Sequence, residues 1–211
     1  MLVPAGSCTG AAALVAYAKG TDVQKTRTLA NPQDSETFLL AAMYAAQGYA
    51  VVASDYLGFA KSTYGYHPYL HADSEATTVL DSVRAARAAA SSVGANLSGK
   101  VMFTGYSQGG FVSMATLAKP DAQGRPATAG APMSGPYGML AISDEILLGH
   151  PNVGGTAYLP LVANSYAHLP AGSPQINLSS MFNPLYADAP TLFPGPDGFA
   201  QFGQLVQAGK I

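Results

Sequence analysis

A chain of 211 residues with 48% hydrophobic side chains has the means for one domain with a real core, and not obviously for two. Charged residues are only 10%, against about 25% in an ordinary domain, so Ser, Thr, Asn, Gln, Gly and Ala must cover much of the surface. A net charge of −2 with no basic cluster argues against nucleic acid, a single Cys8 excludes an internal disulfide, and no stretch is apolar enough to span a bilayer.

Residues 1–6 have no charged segment leading into an apolar core, so they do not read as a signal peptide and leave the compartment undetermined. They read as the tail of a strand entering a turn, as if the chain began inside a fold. Residues 11–17 form a short apolar run that predicts a buried strand, although its alanines leave helix open. Lys19-Gly20-Thr21 follows as a loop. From 35 to 47, Phe38, Leu39, Ala42, Met43 and Ala46 recur at helical spacing, with Asp34 or Ser35 as the cap and Gly48 as the stop. Residues 49–54 predict the next strand, which ends on Asp55. A tyrosine-rich loop with His67 and His71 leads to the clearest helix. Asp73 or Ser74 can cap it, Ala76, Val79, Leu80, Val83, Ala86 and Ala90 share one face, and Asp81 and Arg84 take the solvent side.

Residues 101–104 predict a buried strand, and 111–117 a helix facing the core. Between them lies Gly105-Tyr106-Ser107-Gln108-Gly109, a G-x-S-x-G pattern in the strand–turn–helix context of a nucleophile elbow. Such a turn strains the serine backbone, so the residues two positions either side must be small. Gly105 and Gly109 meet that need, and the amides of the following helix then face any anion formed at Ser107. A further strand is expected within 127–133. Strand and helix alternate to this point, which predicts an α/β domain with a mostly parallel sheet and helices on both faces. After Ser134 the pattern breaks. Nine of the fifteen prolines fall between 136 and 196, among helix-like pieces such as 158–162 and one carrying Phe199, Phe202, Leu205 and Val206 behind Asp197. The expected organisation is a core over 1–134 and a helical cap or lid region over 135–211, the latter equally readable as a peripheral subdomain.

The stretch from Gly48 to Phe59 (GYAVVASDYLGF), the helix ending Leu80 to Arg87 (LDSVRAAR), and Gly105 to Gly110 together resemble the α/β-hydrolase superfamily. More narrowly, they are similar to the secretory lipase family, which includes the fungal lipase A type and many bacterial esterases. The resemblance covers about 15 to 133, and the later residues look like that family's cap insertion. It implies an ester hydrolase with Ser107 as nucleophile. It also implies that the N–H of Gln108 and a second donor at Asp55 form an oxyanion hole. Asp55 has a blander alternative as a turn residue that bonds its own loop. Where relatives often carry His-Gly-Thr, this chain has Lys19-Gly20-Thr21, whose lysine either alters the local field or extends into water.

The chemistry also needs an acid and then a histidine, in that order after the serine. The family takes both from strands beyond the cap, so the chain reads as an incomplete hydrolase lacking both ends of the fold. The acidic residues after Ser107 are Asp121, Asp144, Glu145, Asp188 and Asp197. Asp144 with His150 or His168 keeps the required order without following any strand. Tyr158, Phe182, Phe193, Phe199 and Phe202 would make an apolar acyl pocket suited to lipid-like or short aliphatic esters. The competing readings are a non-catalytic binding or assembly module and one part of a multi-chain hydrolase. No metal site and no cofactor is implied by any motif. A sheet without its outer strands leaves open edges, which predicts a homo-oligomer or a complementing chain.

Overall fold

In the computed structural model, residues 1–6, 8–119, 124, 126–150, 153–169, 173 and 176–209 are described. Asp121 and the side chains of Phe199 and Phe202 lie outside the described residues. Contacts divide the chain into two compact units. Unit 1 holds Met1–Thr21, Thr28–Tyr56 and Ala72–Gly135; unit 2 holds Asp22–Arg27, Leu57–His71 and Pro136–Ile211.

Unit 1 is built on a four-stranded parallel sheet, β1 (Ala12–Ala18), β2 (Ala50–Ser54), β3 (Leu97–Tyr106) and β4 (Ala129–Met133), in the order β2-β1-β3-β4. The alanine-rich run at 12–18 is a strand because it is the sheet's second member, paired on both sides and buried on both faces. Val15 sits opposite Val51 and Met102, and Ala18 opposite Ser54 and Gly105. Alternation then sorts the side chains. Val15, Tyr17 and Val51 point to one face and pack with Leu29 and Leu40, with Leu2, Tyr44 and Met102 around them. That face receives α1 (Ser35–Met43). The other receives α2 (Ala72–Ala89) and α3 (Gln108–Leu117), which contact β1, β2, β3 and β4 between them. The expected α/β architecture with helices on both faces is what the chain forms.

Two helices depart in detail from their patterns. Asp34 does cap α1, accepting from the N–H groups of Glu36 and Thr37. Its buried side, however, is Thr37 and Leu40, while the expected face of Phe38, Leu39 and Met43 lies exposed. Polar contacts set this rotation: the Thr37 hydroxyl donates to the Leu29 carbonyl at 2.9 Å, and the Tyr17 hydroxyl to Glu36 at 2.7 Å. In α2 the apolar face is as expected from Ala76 to Ala86, but the helix runs from Ala72 to Ala89, so Ala90 lies past its end and Asp73 and Ser74 lie inside its first turn rather than capping it. Asp73 is instead paired with Lys119 at 2.7 Å.

Unit 2 contains α4 (Met139–Leu147), α5 (Val153–Ala167), the single turn α6 (Leu178–Met181) and α7 (Gly198–Gln207). The tyrosine-rich loop belongs to it. The Tyr66 ring stacks on His168 with centroids 4.4 Å apart, and the Tyr166 hydroxyl donates to the Leu70 carbonyl at 3.1 Å. His67 is buried edge-on against Phe59, and His71 meets the Tyr166 ring edge. No described helix is long and apolar enough to cross a membrane.

Candidate active site

Ser107 lies between the end of β3 and the start of α3. Its backbone takes φ 58° and ψ −122°, a combination that L side chains rarely adopt. The conformation is held from three directions. The Ser107 N–H donates to the Met133 carbonyl at 3.0 Å, and its own carbonyl accepts from Gly110 at 2.9 Å and Phe111 at 3.2 Å. The glycines either side are required by space. A Cβ on Gly109 would overlap the Ala18 carbonyl and come within 2.8 Å of the Lys19 oxygen. One on Gly105 would overlap that same Ala18 carbonyl and lie 2.6 Å from the Gly109 carbonyl carbon. The end of β1 therefore passes directly against the turn, and any side chain at 105 or 109 would push strand and helix apart.

Sheet register fixes what else is near. Ala18 pairs with Ser54 on one side and Gly105 on the other, so β2 and β3 end level with each other across β1. Asp55, one residue past Ser54, and Ser107, two past Gly105, leave the same sheet edge about 10 Å apart, two strand spacings. Asp55 does not bond its own loop. Its carboxylate accepts from the Thr28 hydroxyl at 2.6 Å and the Leu29 N–H at 2.8 Å, tying a distant segment to the end of β2.

Gln108, the first residue of α3, is only 1% exposed, and its side-chain amide donates to Glu75 on α2. Glu75 is itself 1% exposed. Lys19 does not extend into water: it is equally buried, with Nζ 6.0 Å from the centre of the Tyr56 ring, and its carbonyl accepts from the Tyr56 hydroxyl at 2.9 Å. Burial first, and then the charge of Glu75, push the Tyr56 phenol well above its ordinary value. The sequence reading missed Glu75 and Tyr56. Glu75 stands four residues before Val79 and eight before Val83, on the apolar stripe of α2. A carboxylate in that stripe was the signal.

The proposed relay candidates all belong to unit 2. Asp144 is exposed on α4. His150 is exposed and pairs at 3.0 Å with Glu145, not Asp144. His168 has Nδ1 2.8 Å from the Asn164 carbonyl, one turn back on α5, and its ring lies on Tyr66. Among the described residues no group of three or more His, Cys, Asp or Glu side chains is arranged to hold a metal ion.

With this geometry in place, residues 24–138, more than half the chain, match the model of the secretory lipase family. The chain belongs to the secretory lipase family. Its fold is similar to that of the rice cell wall degrading esterase LipA from Xanthomonas oryzae, with 31% identity and a TM-score of 0.79 over 99% of this chain and 56% of that one. A Legionella pneumophila protein described as a candidate hydrolase superposes with a TM-score of 0.80 at 25% identity, over 96% of this chain and 54% of that one. The chain thus spans little more than half the length of these structures. No curated protein matches it.

Proposed function

We propose that the chain carries the nucleophile of a serine carboxylic-ester hydrolase working through an acyl-enzyme on Ser107. The observation that carries this reading is the strained Ser107 backbone at a strand–helix junction, in a member of the secretory lipase family. Strain held by three backbone hydrogen bonds and two close-packed glycines is the design of a nucleophile elbow, which lifts Oγ off the sheet edge. The esterase activity named for the Xanthomonas relative supports an ester as substrate.

In this reading Ser107 Oγ gives its proton to an imidazole and forms a bond to the ester carbonyl carbon. The carbonyl oxygen becomes an anion, accepted by the backbone N–H of Gln108 and a second donor at Asp55, each worth about 2.7–4 kcal/mol. Collapse breaks the bond to the alcohol oxygen, which takes the proton. Water then repeats the sequence on the acyl-enzyme and frees the acid. The Asp55 carboxylate is engaged with Thr28 and Leu29, so its part is to fix the loop while its backbone serves the oxyanion. The relay imidazole and carboxylate are assigned to residues other than Asp144, His150 and His168. Support comes from their surroundings: His150 and Glu145 are a solvent-exposed pair, and His168 spends Nδ1 on its own helix. A relay needs a buried carboxylate at that nitrogen to fix the tautomer. Short aliphatic or lipid-like esters are the expected substrates, from an enzyme so poor in charge.

The test is hydrolysis of p-nitrophenyl butyrate by the 211-residue chain and by Ser107→Ala, with fluorophosphonate labelling read by mass spectrometry. Label on Ser107, with or without turnover, supports the nucleophile. Turnover confined to the unmutated chain adds a base within reach. No label and no difference from Ser107→Ala overturns the reading, and a non-catalytic binding module takes its place.

A further inference from the structure

We propose that Glu75 is a positioning residue for the oxyanion-binding turn, its buried carboxylate holding Gln108 and so setting the direction of the Gln108 backbone N–H. This rests on the reading of Ser107 as nucleophile.

A buried carboxylate is costly, and one on the apolar stripe of a helix would be expected as leucine or alanine. Glu75 is kept at 1% exposure on the face of α2 that turns toward α3. There it accepts from the side-chain amide of Gln108, equally buried. Gln108 is the residue whose backbone N–H must meet the developing anion. It opens α3, where the first amides have no intrahelical acceptor to orient them. Its N–H direction therefore depends on what holds the residue, and its side-chain amide is held by the buried Glu75 carboxylate.

The same carboxylate acts on the other half of the turn. Its charge reaches the phenol of Tyr56, the residue that follows Asp55 and has φ 68°. Tyr56 in turn is tied by its hydroxyl to the Lys19 carbonyl. That carbonyl is one of the atoms a Cβ on Gly109 would strike. Glu75, Tyr56, Lys19 and Gln108 thus form one buried polar cluster in unit 1 that underlies both donor positions.

The experiment compares Glu75→Gln, Glu75→Leu and the double variant Glu75→Leu/Gln108→Leu with the unmutated chain. Glu75→Gln keeps an acceptor for Gln108. The double variant removes both polar partners at once, which preserves folding where the single leucine does not. Two readouts are taken. One is kcat and KM for p-nitrophenyl butyrate, per Ser107 site titrated by fluorophosphonate. The other is amide hydrogen exchange at 107–111 beside the rest of α3. Loss of the Glu75 hold is expected to lower kcat per site roughly 10- to 100-fold, in keeping with the cost of a misplacement of about 1 Å. KM should stay nearly unchanged, exchange should rise at 107–111 alone, and Glu75→Gln should recover most of the rate. A merely structural role would reduce the number of titrated sites and leave kcat per site intact, which overturns the proposal. If the unmutated chain neither turns over nor takes label, the nucleophile reading has failed. The exchange data still decide the Glu75 hold, because unchanged exchange at 107–111 in both leucine variants overturns it.

Discussion

Ser107 keeps φ 58° with a Cβ attached, and strain of this kind stores about 1–3 kcal/mol. Alanine at 107 would retain the Cβ and hence the strain; glycine would not. Glycine also loses about 0.5–1 kcal/mol more chain entropy on folding, so the two effects partly oppose each other. Ser107→Gly is therefore expected to exceed Ser107→Ala in stability by about 1 kcal/mol, read from urea unfolding midpoints. Equal midpoints would mean that the turn is relaxed. Tyr56 offers a second handle. The fold holds its phenol neutral well above the ordinary value of 10.0, through burial first and Glu75 second. A group whose folded value is raised contributes its full stability below the unfolded value and loses it as pH climbs toward the folded one. At pH 8 Tyr56→Phe should cost about 1 kcal/mol by removing the buried hydrogen bond to the Lys19 carbonyl. At pH 11 the gap should shrink, since only the tyrosine form pays for ionising on unfolding. A gap that stays constant between the two pH values would show that Tyr56 is not held neutral by the fold.

Among the elements, what could be read from the sequence and what could not have separate physical causes. Short continuous apolar runs and the spacing of Val79, Leu80, Val83 and Ala86 are local signals, and β1, β2, the inner part of β3 and α2 followed from them. The strand–turn–helix around Ser107 was legible because sterics at Gly105 and Gly109 leave few other residues workable there. The rotation of α1 was not. Its sequence shows apolar residues on two sides, and the choice between them is made by the Thr37 and Tyr17 hydroxyls, whose partners lie 8 and 19 residues away. Buried charge was hidden for a similar reason. Lys19 in a glycine-flanked loop looks solvated, and Glu75 looks like an ordinary first-turn acid that complements the helix dipole. Only the packing of α2, α3 and the end of β1 within unit 1 places both out of water. Asp55 was singled out by resemblance, yet the Thr28 and Leu29 bonds that occupy its carboxylate could not be read from local pattern.

At the scale of the molecule, the misjudged face of α1 becomes consequential. Phe38, Leu39, Met43 and Tyr49 are left exposed, and Met43 and Tyr49 line a cleft of about 260 Å³ together with Val15, Tyr44, Met102 and residues 129–131 of β4. β4 ends the described sheet, and Met133 on it is 40% exposed. An edge strand beside uncovered apolar surface is a template for pairing, and natural edges are usually blunted by lysine, proline or a covering element. Here Pro132 removes one donor, but no lysine or arginine lies on β4. A net charge of −2 gives little electrostatic repulsion to keep copies apart. Concentration-dependent association in light scattering is the expected behaviour. Ala131→Lys should shift it toward monomer by placing an ammonium on the exposed edge. Unit 2 supplies the control, because Leu140 and Leu147 on α4 are also highly exposed. Leu140→Ser/Leu147→Ser should leave the association in place if the sheet edge drives it. Dissociation by the α4 pair and not by Ala131→Lys would move the contact to unit 2. A clean monomer at every concentration would mean that this edge and its apolar face stay apart in water without help.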